Sequence, residues 1–143
     1  MSQPDAQRLA ERVAVEMYAR DNASKGLGMN VEAVAPGYAR LSMAVRKDMV
    51  NGHDICHGGM IFTLADSAFA FACNSYNRTA VAQQASITFC RPAKLGDRLT
   101  AECHERHKAG RAGLYDVTVT DQSGKTVALF RGTSATIQGE LVR

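Results

Sequence analysis

The chain contains no tryptophan, only three prolines and only four cysteines. The cysteines, at 56, 73, 90 and 103, form no C-x-x-C pair, which excludes the usual zinc and thioredoxin arrangements. No basic block occurs, and a formal net charge of +3 is too slight to argue for nucleic acid or a membrane surface. That mild surplus suits, weakly, an anionic small molecule. The longest apolar run, near residues 60–73, is broken by Asp66 and falls short of the ~20 residues a membrane span needs. There is no Gly-x-Ser-x-Gly, hence no hydrolase nucleophile elbow. Gly26-Leu27-Gly28 lacks both the third glycine and the preceding strand of a dinucleotide fingerprint. Asp5, Glu11 and Glu16 interrupt the N-terminal apolar residues, so no signal peptide is read there. The cytoplasm is the expected compartment, with the cysteines as reduced thiols filling small apolar sites.

What is present is ordinary for a globular chain: 45% hydrophobic and 22% charged residues, long enough for one core. Residues 1–143 read as a single domain, with no repeat and no linker. Pro4 to about Asp21 has Leu9, Val13 and Met17 at helical spacing, and Asn22–Gly26 is expected to stop that helix. Residues 29–35 and 38–46 read as a hairpin around Pro36-Gly37, with Leu41, Met43 and Val45 alternating against Arg40, Ser42 and Arg46. Residues 58–74 predict a helix apolar nearly all round, buried on most sides and roughly 22 Å long. Four further strands are predicted over 80–91, 97–107, 112–121 and 126–137. The order is α+β: one antiparallel sheet against a single long helix, with an extra N-terminal helix. A sheet curled round that helix, the hot-dog arrangement, is compatible with this order but not required by it.

The chemistry concentrates in residues 51–74. The loop Asn51-Gly52-His53-Asp54-Ile55-Cys56-His57-Gly58-Gly59 runs into the apolar helix, whose polar side chains before its end are Thr63, Asp66 and Ser67 on one stripe. A carboxylate there is costly unless it is paired or has a role, and partial burial makes it a better base. The first N–H groups of the helix, with its dipole behind them, can hold an oxyanion, and glycine permits close approach. Gly58 and Asp66 lie eight residues apart, roughly 12 Å along the axis. One helix cannot bring both to one carbonyl, so if both are catalytic the site must join two copies of the chain. His53 and His57 at i and i+4 are a weak metal pair, because glycines flank them; no metal is expected. Cys56 beside His57 is a poor nucleophile pair, since adjacent side chains seldom point together.

Asn51, His57-Gly58-Gly59 and Asp66, spaced Asn-(five residues)-His-Gly-Gly-(six residues)-Asp, resemble the active-site signature of the hot-dog acyl-coenzyme A thioesterases. Arg91-Pro92-Ala93-Lys94-Leu95-Gly96-Asp97 and Val127-Ala128-Leu129-Phe130-Arg131-Gly132 follow in the order of that family's later motifs. Cys73-Asn74-Ser75-Tyr76-Asn77-Arg78 brings the chain nearer to the phenylacetic acid degradation branch. The resemblance spans about residues 25 to 138. It implies hydrolysis of (hydroxy)phenylacetyl-coenzyme A thioesters in phenylacetate catabolism. Asp66 would be the catalytic carboxylate, as base or nucleophile, and Gly58 would polarise the carbonyl. His57 would shape the helix start, and Asn51 would help place water or the thioester. Gly59, Thr63 and Ser67 would line the substrate, and Arg91, Lys94 and Arg131 would meet the coenzyme A phosphates. The hydroxyl that some relatives carry near Ala82 is absent. Coenzyme A enters as part of the substrate, with no separate cofactor. The implied assembly is a homo-oligomer with sites across a dimer interface, commonly within a tetramer. A hot-dog enoyl-coenzyme A hydratase or dehydratase, a medium-chain acyl-coenzyme A thioesterase and a non-catalytic acyl-thioester binder are the alternatives.

Overall fold

The computed structural model describes residues 1–143. Helix α1 (Gln3–Arg20) and a short α2 (Asn22–Gly26) precede strands β1 (Asn30–Ala35) and β2 (Tyr38–Ala44). The long helix α3 (Gly58–Cys73) follows, then β3 (Ala80–Phe89), β4 (Arg98–Ala109), β5 (Ala112–Thr120) and β6 (Thr126–Thr136). One six-stranded sheet, ordered β1-β2-β4-β5-β6-β3 with every pair antiparallel, packs on α3. This is the hot-dog arrangement, and each predicted element is present with ends shifted by at most about two residues.

Residues 22–26, expected only to stop α1, form α2. Asp21 Oδ1 accepts from Ser24 N at 2.9 Å, a side-chain cap that starts a new turn. The expectation that α3 is buried on most sides also needs qualifying. Ile61, Leu64, Ala65, Ala68, Phe69, Phe71 and Ala72 are buried against inward residues such as Leu41, Leu99, Tyr115 and Val119. Phe62, Thr63, Asp66, Ser67 and Ala70 instead form a half-buried stripe that the chain's own sheet covers only in part. The buried face anchors the helix: truncating fully buried Leu64 to alanine would cost about 2–5 kcal/mol.

The two outer strands end the sheet differently. Along β1, α1 lies close: Gln7 Nε2 donates to Val34 O at 2.8 Å, and Tyr18 Oη to Met29 O at 2.7 Å. Along β3 nothing from the chain covers the edge; Val81 and Phe89 are 45% and 51% exposed. No helix is long and apolar enough to cross a membrane.

Candidate active site

The loop before α3 is pinned by its own asparagine. Asn51 Oδ1 accepts from His53 N at 2.9 Å and Ile55 N at 3.4 Å, while Asn51 N donates to Ile55 O at 2.9 Å. Asp54 takes a left-handed conformation, φ 60°, which lets the chain double back. The outgoing residues are fastened on both sides: Cys56 N donates to Ala93 O at 2.8 Å and His57 N to Met49 O at 2.7 Å. Asn51 therefore holds the turn through its carbonyl oxygen, and its Nδ2 is the end left for a ligand.

His57 is the N-cap of α3. Its Nδ1 accepts from Gly59 N at 2.8 Å, so that nitrogen carries no proton and the imidazole sits over the first turn. A helix start has several orphan N–H groups. Here Gly59's is taken, and Gly58 N has no acceptor within the chain. The Gly-Gly start thus leaves the Gly58 N–H as a donor with no acceptor in the chain. A Cβ at Gly58 would come within 2.9 Å of the Phe89 ring, so glycine there also lets the end of β3 fold down on the helix start. Gly58 lines a cavity of about 410 Å³ with Asn51, Ile55, Ile61, Phe89 and Arg91. Asp66 is not part of it.

Asp66 lies two turns along α3 on the open stripe. Its carboxylate accepts no hydrogen bond and meets no cation within the chain; the seven ion pairs all lie elsewhere. Burial alone pushes its pKa above the ordinary 3.8. A partially desolvated, partnerless acid has the properties wanted in a base. The other polar residues of the stripe are committed: Thr63 Oγ1 donates to Gly59 O at 2.8 Å, and Ser67 Oγ lies 2.9 Å from Ser24 Oγ, which bonds Asp21 at 2.6 Å. Ala82, on bare β3, puts no hydroxyl there.

The three basic candidates separate. Arg91 lines the Gly58 cavity, and exposed Lys94 bridges to Ile55 in the same loop. Arg131 lies on the other face of the sheet, because its neighbour Phe130 points at α3, and Asp116 holds its guanidinium by two bonds of 2.7 and 2.9 Å. The Arg131 guanidinium beside Asp116 holds that carboxyl below its usual range. No cluster of three or more His, Cys, Asp or Glu side chains is placed to hold a metal. Three of the thiols are buried, and burial pushes Cys73 up to about 12; Cys90 is exposed, against the expectation that all four fill small apolar sites. Cys56 Sγ turns to the backbone oxygen of His57 at 3.7 Å, away from the imidazole pairing considered above. Phe89, covering Gly58, was not singled out from the sequence; only its place next to Cys90-Arg91-Pro92 at a strand end could have signalled it.

Residues 53–128 match the family model described as the thioesterase superfamily. The chain is 46% identical over 125 residues to the acyl-coenzyme A thioesterase PaaI of Escherichia coli, covering 87% of this chain and 89% of that protein. The solved structure of the E. coli PaaI protein from the phenylacetic acid degradation operon superposes with a TM-score of 0.93, at 45% identity, over 94% of this chain and 97% of that one. A variant of the phenylacetic acid degradation protein PaaI from Thermus thermophilus superposes with a TM-score of 0.79, at 38% identity, over 82% and 100% of the two chains.

Proposed function

The chain belongs to the thioesterase superfamily and is a thioester hydrolase, and we propose that it cleaves (hydroxy)phenylacetyl-coenzyme A thioesters to the free acid and coenzyme A, in aromatic catabolism. The observation that carries the mechanism is the pair of unsatisfied groups on α3: an N–H at Gly58 with no acceptor and a partnerless carboxylate at Asp66, roughly 12 Å apart on one helix.

In the proposed reaction the thioester carbonyl oxygen lies on Gly58 N–H of one copy, with the helix dipole behind it. Asp66 of the other copy takes a proton from water as the water oxygen bonds to the carbonyl carbon. The tetrahedral oxyanion collapses, the C–S bond breaks, and coenzyme A leaves as a thiolate that needs little acid assistance before it picks up a proton. His57 keeps the helix start in shape by holding Gly59 N–H, and Asn51 keeps the loop closed. Arg91, which lines the Gly58 cavity, and Lys94, bridged to Ile55 of the loop that lines it, are proposed to meet the coenzyme A phosphates; Arg131, neutralised by Asp116, is less suited. No cofactor is needed beyond the coenzyme A of the substrate. The assembly proposed is a dimer joined along β3, paired into a tetramer, acting in the cytoplasm. A hydratase would need a histidine at the acyl carbons, and the Gly-Gly oxyanion start of α3 fits hydrolysis better.

The test is thiol release from phenylacetyl-coenzyme A by wild type and by Asp66→Ala. Rapid release by the wild type and loss in the variant are expected; comparable rates would remove Asp66 from the chemistry. Single-turnover hydrolysis in oxygen-labelled water adds the second half: label in Asp66 identifies it as the nucleophile, whereas label only in the product acid means that water attacked the acyl carbon, as general-base catalysis requires.

A further inference from the structure

We infer that Phe62 is the residue that makes the site favour an aryl acyl group over a straight chain, by presenting a fixed aromatic wall one turn from Asp66. This rests on the hydrolysis proposed above and narrows it to a residue.

On the open stripe of α3 the side chains within one turn of Asp66 are Phe62, Thr63, Ser67 and Ala70. The two hydroxyls are committed elsewhere, Thr63 to Gly59 O at 2.8 Å and Ser67 to Ser24 at 2.9 Å. What remains beside the carboxylate is a phenyl ring and a methyl group. The surroundings of Asp66 on its own helix are thus apolar, and the one large group among them is aromatic.

Phe62 also differs from the other phenylalanines of α3. Phe69 and Phe71 are fully buried and fill the core, whereas Phe62 is half-buried and keeps surface open on the stripe. Its orientation is nevertheless fixed. The ring meets Phe130 edge-on at 5.3 Å and 68°, Phe130 meets Phe69 at 5.8 Å, and Phe69 meets Tyr115 at 5.5 Å. Tyr115 Oη ends the run by donating to Glu105 Oε1 at 3.1 Å. Gly132 lets the rings close up, since a Cβ there would sit 3.0 Å from Phe69 and 3.1 Å from Phe130. Four rings run from the core to the surface stripe, so Phe62 cannot turn away without disturbing the ones behind it.

A ring held at a set angle gives an incoming aryl group edge or offset-stacking contact beyond simple area, which a straight chain cannot use. The discrimination expected is about 2- to 10-fold in kcat/KM. Leucine at 62 would keep the apolar area but remove the ring.

The experiment compares kcat/KM for phenylacetyl-coenzyme A and hexanoyl-coenzyme A in wild type, Phe62→Leu, Phe62→Met and Phe62→Tyr. The aryl-to-alkyl ratio should fall about 2- to 10-fold in the leucine and methionine variants, mostly through KM, and stay near wild type in the tyrosine variant. Two replacements guard against one that does not fold, and melting temperatures identify that case. An unchanged ratio in whichever variant folds, or an equal fall for both substrates, would overturn the inference while leaving hydrolysis intact. Absence of thiol release from any thioester by the wild type would overturn the proposed function, and the inference with it.

Discussion

The two edges of the sheet face the same physical problem and meet it differently. An outer strand exposes unpaired N–H and C=O groups and invites another strand. At β1 the chain supplies its own cover, with α1 reaching the edge through Gln7 and Tyr18. At β3 it supplies none, and Val81 and Phe89 stand exposed along the edge. The proposed chemistry sits on the uncovered side: Phe89 folds onto Gly58, and Asp66 lies on the half-buried stripe of α3. The covered edge ends the molecule; the bare edge is where a second copy would complete it. The same copy would supply both the missing strand partner and the missing half of the site.

Breaking the comparison at its centre should have the largest effect. Asp66→Ala should lower kcat by about 10²- to 10⁴-fold with the oligomer intact, checked by thiol release and sedimentation. Next comes the bare edge itself. Val81→Lys puts like charges across a two-fold interface, so sedimentation should show monomer and thiol release should fall in proportion to the dimer lost. His57→Ala removes the cap on Gly59; a stability loss of about 1 kcal/mol in denaturant unfolding and a lower kcat are expected. The covered edge should be nearly silent: Gln7→Ala should cost about 0.5–1.5 kcal/mol and leave kcat and oligomeric state unchanged.

pH sharpens the reading of Asp66. Burial raises its pKa above 3.8, and the base works deprotonated. Activity should therefore be full above the raised pKa and fall as pH drops through it, with an acid limb above that of an ordinary carboxylate. Stability runs the other way. A carboxyl with a raised folded pKa costs stability at neutral pH, and the cost is relieved as pH falls through that value. Asp66→Asn should accordingly melt at the same temperature as wild type or higher at pH 7, a gain obtained by giving up function.

Much of the site is legible in the chain because it depends on local spacing. An acid in an apolar helix, two glycines at its start and a spacing of eight positions from Gly58 to Asp66 lead to the proposal of a two-copy site without coordinates. What was not legible depends on partners far apart in sequence or on the fine geometry of one group. Arg131 reads as a free cation until strand register sets it beside Asp116, fifteen residues earlier. Gly59 reads as part of the substrate's lining until its N–H is found committed to the His57 imidazole. The bare edge could not be read because it follows from strand order: β3 pairs only with β6, five strands away from β1 in the sheet. α2 was missed because a five-residue helix rests on the single cap of Asp21 on Ser24 and carries no periodic signal.

The central claim is that each site takes Gly58 from one chain and Asp66 from another. It is tested by co-expressing Asp66→Ala with Gly58→Ala, whose Cβ would crowd the Phe89 ring and the carbonyl's approach to the N–H, and measuring thiol release from the mixed population against each variant alone. A two-fold dimer with shared sites gives each mixed dimer one site with both residues intact. With random pairing, activity should return to about one quarter of wild type. Activity no greater than the average of the two variants would place both groups in one chain and contradict the account.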